Sequence, residues 1–334
     1  MKEALYYSVI DKNRQVIQCN LCPNNCKLSP EKTGLCKARK NVSGRLYSLT
    51  YGKVSSVNLD PIEKKPLYHF YPGTEILSVG ATGCNFKCLN CQNWEISQAD
   101  FKEESLRDLS SQEALEICKR YKSVGLAYTY NEPLINYEWV LETAKLFREN
   151  NLKNVLVTNG YINEQPLVNL LPYIDAANID IKAFKNDFYK KVCGGELGSV
   201  MRTVEIMYEA GVHIELTCLL IPGQNDSENE ISDFASWVSS LNCEIPVHFS
   251  RYFPRYKMKD SATSFNVMER ARKTALRYLK YVYLGNITEE ESSKTFCVEC
   301  GNVLIERIGY DIELRGLQKG SFCRKCKTKN NIIY

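Results

Sequence analysis

Three cysteines stand close together in the run Cys84-Asn85-Phe86-Lys87-Cys88-Leu89-Asn90-Cys91, directly after the apolar stretch Ile76-Leu77-Ser78-Val79-Gly80. Three thiolates on one short loop can hold three irons of a cubane [4Fe–4S] cluster and leave the fourth iron open to a small molecule. Half a zinc site, or a chance grouping, is the alternative. A structural zinc takes four protein ligands, and this segment offers no fourth, since the nearest histidine is His69. The ligand count favours the open cluster, and an open iron is a site for chemistry.

Two further sets of cysteines have metal-ligand spacing. Cys19, Cys22 and Cys26 are followed by Cys36 just past Gly34, enough thiolates for a closed site. Pro23 directly after a cysteine suits an iron–sulfur loop, while the polar, loop-rich context suits zinc, so both metals stay open, with a lean toward iron–sulfur. With either metal the expected role is a structural staple. Near the other end Cys297-x2-Cys300 and Cys323-x2-Cys326 flank hairpin-like strands between Ile305 and Leu317, the pattern of a zinc ribbon. A rubredoxin-like iron is the alternative, because both metals accept four thiolates in a tetrahedron. The ribbon is expected to be structural or to recognise a partner. Cys118, Cys193, Cys218 and Cys243 are isolated and read as small hydrophobes.

Fifteen cysteines in 334 residues would suggest disulfides in an exported chain. Here C-x2-C pairs occur without a signal peptide after Met1-Lys2-Glu3, which reads as metal ligation in the cytoplasm. No apolar run approaches the roughly 18 residues of a membrane span. The formal charge of +4 counts every thiol as neutral. With all three metal sites filled the net charge falls to about −1, which argues against a polyanion partner. Arg324, Lys325, Lys327 and Lys329 leave only a weak local case for nucleic acid. The chain has three histidines, with no recognisable triad or metal pair among them, so acid–base catalysis by side chains is not its main engine.

The elements that must carry the cysteine loop alternate. From Ile76 onward short β-branched runs are separated by amphipathic helices, the first capped by Ser110 and Glu113 and running to about Lys122. Expected strands are Gly125–Tyr130, Asn154–Thr158, Ala177–Ile181, His213–Leu220, Val247–Tyr252 and Tyr281–Leu284. Expected helices are Tyr137–Asn150, Pro166–Leu171, Val200–Ala210, Glu228–Ser240 and Val267–Leu279, with a helical stretch near Asp187–Val192. Such alternation gives a parallel sheet that six or more units bend toward a barrel, with functional loops at the carboxyl ends of the strands. Asn131-Glu132-Pro133, Thr158-Asn159-Gly160, Asp180-Ile181-Lys182 and Pro222-Gly223-Gln224-Asn225-Asp226 then share one rim with the cysteine loop. Before the barrel, Glu63 to Gly73 is dense in charges and rings. It reads as a solvated hairpin packing its rings on the barrel, with a role in covering the cluster as the sharper guess.

The C-x3-C-x2-C loop resembles the signature of the radical S-adenosylmethionine (SAM) superfamily, although Asn90 stands where many members carry an aromatic residue. In that superfamily the open iron chelates SAM, and one electron cleaves it to methionine and a 5′-deoxyadenosyl radical. The rim loops are similar to those of the branch containing the pyruvate formate-lyase activating enzymes. That likeness implies Asn131 and Glu132 along the methionyl amine, Asn159 near the ribose or methionyl part, and Asp180 and Lys182 near the carboxylate. Val157 departs from the Asp that activating enzymes place before Thr-Asn-Gly. A longer likeness is to the AmmeMemoRadiSam-system radical SAM enzymes. It rests on the N-terminal cysteine set, Leu49-Thr50-Tyr51-Gly52, the run Asp60 to His69, Gly83-Cys84-Asn85, Cys91-Gln92-Asn93-Trp94, Tyr128 to Pro133 and the ribbon. It implies AMMECR1-like and Memo-like proteins as possible neighbours.

The expected fold is therefore α/β, a partial or near-complete parallel (β/α) barrel of the radical SAM type. An N-terminal Cys-rich metal-binding segment with its hairpin linker (1–74) precedes the barrel (75–287), and a linker with a zinc-ribbon-like domain (288–334) follows. The resemblance implies an enzyme that takes hydrogen from an unidentified protein or small molecule, with a flavodoxin or ferredoxin as electron donor. The competing class is a multi-cluster electron-transfer or metal-scaffold protein without SAM chemistry. The missing fourth ligand beside Cys84, Cys88 and Cys91 separates the two.

Overall fold

The computed structural model describes residues 1–98, 100–287 and 290–334. Eight strands form one sheet whose spatial order follows the chain: Ser56–Pro61 (β1), Glu75–Gly80 (β2), Gly125–Tyr128 (β3), Lys153–Thr158 (β4), Ala176–Asp180 (β5), His213–Leu220 (β6), Val247–Arg251 (β7) and Val282–Gly285 (β8). β2 to β8 run parallel, and β1 pairs antiparallel with β2. The sheet thus reaches back before residue 75, because β1 is the hairpin partner of the first parallel strand. β1 and β8 remain its two edges, so the barrel is open on one side.

Helices Ser111–Arg120 (α1), Tyr137–Glu149 (α2), Glu164–Leu170 (α3), Leu197–Glu209 (α4), Glu228–Asn242 (α5) and Phe265–Ala275 (α6) connect the parallel strands. α1 starts at the expected capping box: the Ser110 side chain accepts from the Glu113 N–H, and the Glu113 carboxylate accepts from the Ser110 N–H. Its buried Ala114, Leu115 and Cys118 recur at helical spacing. Successive strand residues face opposite ways. Leu77, Val79, Leu126, Tyr128, Leu156, Ile179 and Phe249 join the core shared with the helices. Ile76, Ala127, Val155 and Ala176 point inward and form a separate, smaller cluster.

That inner cluster is completed by Ile62, Leu67 and Phe70, which corrects the expectation for the 63–73 segment. Pro61 pairs with Glu75, so the segment lies at the amino ends of the parallel strands, the end opposite the loop that follows Gly80. It is a plug and covers no cysteine of the Cys84 loop. The Pro66 carbonyl accepts from Asn178 Nδ2 at 2.7 Å, and the Tyr68 and His69 amides donate to Glu215 at 3.0 and 2.7 Å. The three histidines, without a recognisable pattern in the sequence, meet here. His213 and His248 contact the Glu215 carboxylate at 3.1 and 2.6 Å, and His69 bonds the Tyr283 hydroxyl at 2.6 Å. Aromatic rings and charge in this segment serve packing and close the amino end of the barrel.

The ribbon docks on the same end. Arg307, on the strand Val303–Ile308, is buried with its guanidinium 4.2 Å from the centre of the Tyr68 ring and donates to the Tyr68 carbonyl at 2.7 Å. The Ile333 amide donates to the His69 carbonyl at 2.7 Å. Thr288 and Glu289, which open the expected linker, lie outside the described residues. At the other end of the chain, Arg39 pins the Cys-rich segment to α2 through a doubly bonded ion pair with Glu138 at 2.8 and 3.0 Å, both side chains buried. Among the described residues no helix is long and apolar enough to cross a membrane.

Candidate metal and cofactor site

The loop carrying Cys84, Cys88 and Cys91 follows β2 and is held from three sides. Gly83 has a φ of +89°, and a Cβ there would sit 2.2 Å from the Cys36 carbonyl oxygen, so only glycine fits. Phe86 is fully buried against Gly195, where a Cβ would meet its ring at 2.2 Å, and its ring centre lies 4.7 Å from that of Tyr161. The Lys87 and Leu89 amides donate to the Cys193 and Val192 carbonyls at 2.7 and 3.0 Å, tying the loop to the helical turn Tyr189–Cys193 after β5. The Phe86 ring and the backbone between the cysteines therefore anchor the loop, and its shape does not depend on the thiols.

The rim loops then converge on this loop. Asn131 accepts from the Ala81 amide at 3.0 Å and donates to the Gly83 carbonyl at 2.9 Å, clasping the entry to the cysteines. Buried Glu132 accepts from the Leu134 amide, the Thr158 hydroxyl and the Asn159 amide, at 3.0, 2.8 and 2.8 Å. Burial pushes its carboxyl up to about 7 against the pull of those three donors. Asn159 Nδ2 donates to Asn85 Oδ1 at 2.9 Å and lies 3.6 Å from Cys84 Sγ. Lys182 Nζ is 3.0 Å from Asp180 Oδ2 in a partly exposed pair, and its amide donates to the Tyr189 hydroxyl at 3.0 Å. Burial works against the Lys182 charge, but the Asp180 carboxylate beside it holds the ammonium well above the usual lysine range. Five residues expected on the rim thus surround the loop, Asn131 and Glu132 bonded mainly to backbone and Asp180 and Lys182 still partly open to solvent.

Cys193, expected from the sequence to be a small hydrophobe, is buried but stands beside the cysteine loop. Its carbonyl accepts from the Lys87 amide at 2.7 Å, and its nearness to Cys88 pulls the Cys88 thiol down against the effect of burial. An isolated cysteine carries no spacing signal, and only the turn after β5 brings it to the loop. Burial pushes the Cys84 and Cys91 thiols up. Buried thiols of this kind become anions when a metal cation replaces the proton, so the donor set fits an iron–sulfur cluster.

The three cysteine sets differ in how tightly their sulfurs gather. In the ribbon, Cys297 and Cys326 lie 3.5 Å apart and Cys300 and Cys323 3.7 Å apart, with all four sulfurs within 4.8 Å of one another. Four thiolates about 2.3 Å from one zinc stand about 3.8 Å from each other, so this set fits a single tetrahedral ion. Among the described residues no other group of three or more potential ligands is so gathered. Cys19, Cys22, Cys26 and Cys36 instead line a partly open pocket together with Leu21, Asn24, Gly34, Arg39 and Ile135. Burial pushes Cys22 and Cys36 up to about 12 and about 11.

A sequence model of the Radical SAM superfamily matches residues 78–235, the span from β2 to α5. An uncharacterized protein of Methanocaldococcus jannaschii is 42% identical over 337 residues, covering 100% of both chains. The pyruvate formate-lyase-activating enzyme of Clostridium pasteurianum is 24% identical over 222 residues, 59% of this chain and 87% of that one. Among solved structures, Streptococcus suis SuiB bound to S-adenosylmethionine superimposes with a TM-score of 0.50 at 12% identity, covering 61% of this chain and 48% of that one.

Proposed function

The chain belongs to the radical SAM superfamily, and on that premise we propose that Cys84, Cys88 and Cys91 hold a [4Fe–4S] cluster at which SAM is reductively cleaved. When bound, the cluster and SAM together supply a 5′-deoxyadenosyl radical that takes hydrogen from a protein or small-molecule substrate. The observation that carries this reading is a trio of thiols on one loop at the carboxyl end of β2, beside a charged lysine and without a fourth ligand in that loop. Asn159 orients Cys84, Asn131 and Glu132 set the positions of the loops around SAM, and Asp180 and Lys182 meet its methionyl carboxylate and amine. The ribbon cysteines hold zinc. Likeness to an activating enzyme supports the glycyl-radical-activating branch, and the run from Asp60 to His69 supports AMMECR1-like and Memo-like partners.

A second reading, an electron carrier with a closed cluster, draws on Cys193, which is tied through its carbonyl to the amide of Lys87, the neighbour of Cys88. One experiment separates the two. Protein reconstituted anaerobically with iron and sulfide, then given dithionite and SAM, should form 5′-deoxyadenosine and methionine in equal amounts. A reconstituted cluster that leaves SAM intact establishes the carrier.

Lys182 gives a sharper test. An ammonium paired with the SAM carboxylate makes a charge-assisted bond worth about 1.5–3 kcal/mol. Lys182→Ala should therefore weaken SAM binding roughly ten- to a hundredfold at matched iron and sulfide content. An unchanged dissociation constant assigns Lys182 to Asp180 alone.

A further inference from the structure

We propose that Cys19, Cys22, Cys26 and Cys36 hold a second iron–sulfur cluster that relays an electron from an external donor to the Cys84 loop. The relay rests on the SAM-cleaving function proposed above, whereas the identity of the metal does not.

The four thiols line one partly open pocket, and their sulfurs are not drawn together as a single ion requires and as the ribbon sulfurs are. In a cubane each thiolate binds a different iron, so the ligands stand on separate corners. Gly34 lies in the wall between two of them: a Cβ there would be in van der Waals contact, at 3.7 Å, with both Cys26 Sγ and Cys36 Sγ. Arg39 is part of the same wall. Its terminal nitrogens are taken by Glu138 and by the Ile135 and Leu5 carbonyls, but its Nε is buried with no partner. A buried N–H left without an acceptor is costly, and a cluster sulfur in the pocket would satisfy it. Hydrogen bonds to sulfur also shift a cluster's potential.

Placement supplies the function. The Cys36 carbonyl packs against Gly83, the residue next to Cys84, so tightly that no side chain fits between. Asn24, a second lining residue of the pocket, donates to the Asn85 carbonyl at 2.8 Å, and Ile135 packs both against Cys36 and within reach of Gly83. One packed contact and one residue therefore separate the two cysteine sets. Cys22 and Cys26 are half-buried and Asn25 is exposed, so a donor can approach the outer side of the pocket. One electron from a reduced flavodoxin or ferredoxin enters there, crosses the Cys36–Gly83 contact and ends in the sulfur–C5′ bond of SAM. That bond breaks to methionine and the deoxyadenosyl radical, and the donor leaves oxidised by one electron.

Three measurements on the full-length protein test the idea. A Cys84→Ser, Cys88→Ser, Cys91→Ser variant, reconstituted anaerobically, should still take up iron and sulfide and give a cubane spectrum by Mössbauer spectroscopy. Stoichiometric zinc without iron in that variant overturns the proposal, whatever the parent does with SAM. In the fully reduced parent, pulsed EPR should show magnetic coupling between two clusters, and two uncoupled signals overturn the relay. Finally, Cys22→Ser should slow reduction of the remaining cluster by flavodoxin hydroquinone at least tenfold while slowing reduction by dithionite much less. Equal slowing by both reductants, or none, overturns it as well. Should Cys22→Ser fail to fold, the first two measurements decide.

Discussion

Cys88→Ala is expected to abolish the reductive cleavage of SAM. Cys88 is the middle ligand of the trio and is buried beneath its loop, with the neighbouring Lys87 and Leu89 amides anchored on the Tyr189–Cys193 turn. Those backbone bonds do not involve the Cys88 side chain, so the loop keeps its path when the sulfur is removed. What is lost is one of three corners of the proposed cubane, and two thiolates do not hold it open-faced toward a ligand. The readout is 5′-deoxyadenosine after anaerobic reconstitution and dithionite, with the amount falling to the background of protein-free reagent. Formation at the parental rate would remove Cys88 from the cluster and with it the reading of the whole loop. Cys118→Ala serves as the control, because Cys118 is a buried helix residue whose thiol faces the Ser123 and Gly125 carbonyls.

The second large effect concerns stability and lies at the other end of the barrel. Glu215 is fully buried, and its carboxylate collects the Tyr68 and His69 amides together with the His213 and His248 rings. Glu215→Ala strands those groups in the interior and should lower the free energy of unfolding by about 3–5 kcal/mol. Anaerobic urea unfolding followed by tryptophan fluorescence measures it, and a loss below about 1 kcal/mol would show that the plug does not depend on this carboxylate. Hydrogen exchange at the Tyr68 and His69 amides should accelerate in the same variant.

The same network sets the acid limit. Burial by itself would raise the Glu215 carboxyl, but the bonds from His213 and His248 hold it well below the usual range. Its contribution is present above the unfolded carboxylate pKa and is lost as pH falls through the lowered native value. Burial pushes His69 down to about 3, so between roughly 6.5, the ordinary histidine value, and 3 the unfolded chain takes up a proton that the native chain refuses. Both groups act in the same direction, and parent stability should fall as the solution is acidified below about 6.5. Glu215→Ala should flatten the carboxylate part of that slope.

Much of this was readable along the chain because the signals are local. The strand His213–Leu220, the capping box at Ser110 and the helix from Tyr137 follow from side-chain period and from hydrogen bonds spanning a few residues. The cysteine sets were readable for the same reason, since ligands within a short loop are gathered by the loop itself. From strand–helix alternation it also followed that Asn131, Asn159, Asp180 and Lys182 would stand on one rim, because every parallel strand points its carboxyl end the same way.

Only the tertiary structure decided which distant groups meet. That the aromatic run through His69 stops the amino end of the barrel, and that three scattered histidines share one end around Glu215, depends on contacts between residues 146, 33 and 214 positions apart. That Cys193 stands beside the Cys88 loop, and that the Cys36 carbonyl presses on Gly83, depends on how far the sheet curls and where the N-terminal segment is pinned by Arg39 and Glu138. Periodicity reports which face of an element is buried, but it carries no information about which other face it is buried against. That choice is made by shape and by the satisfaction of buried polar groups across the whole fold.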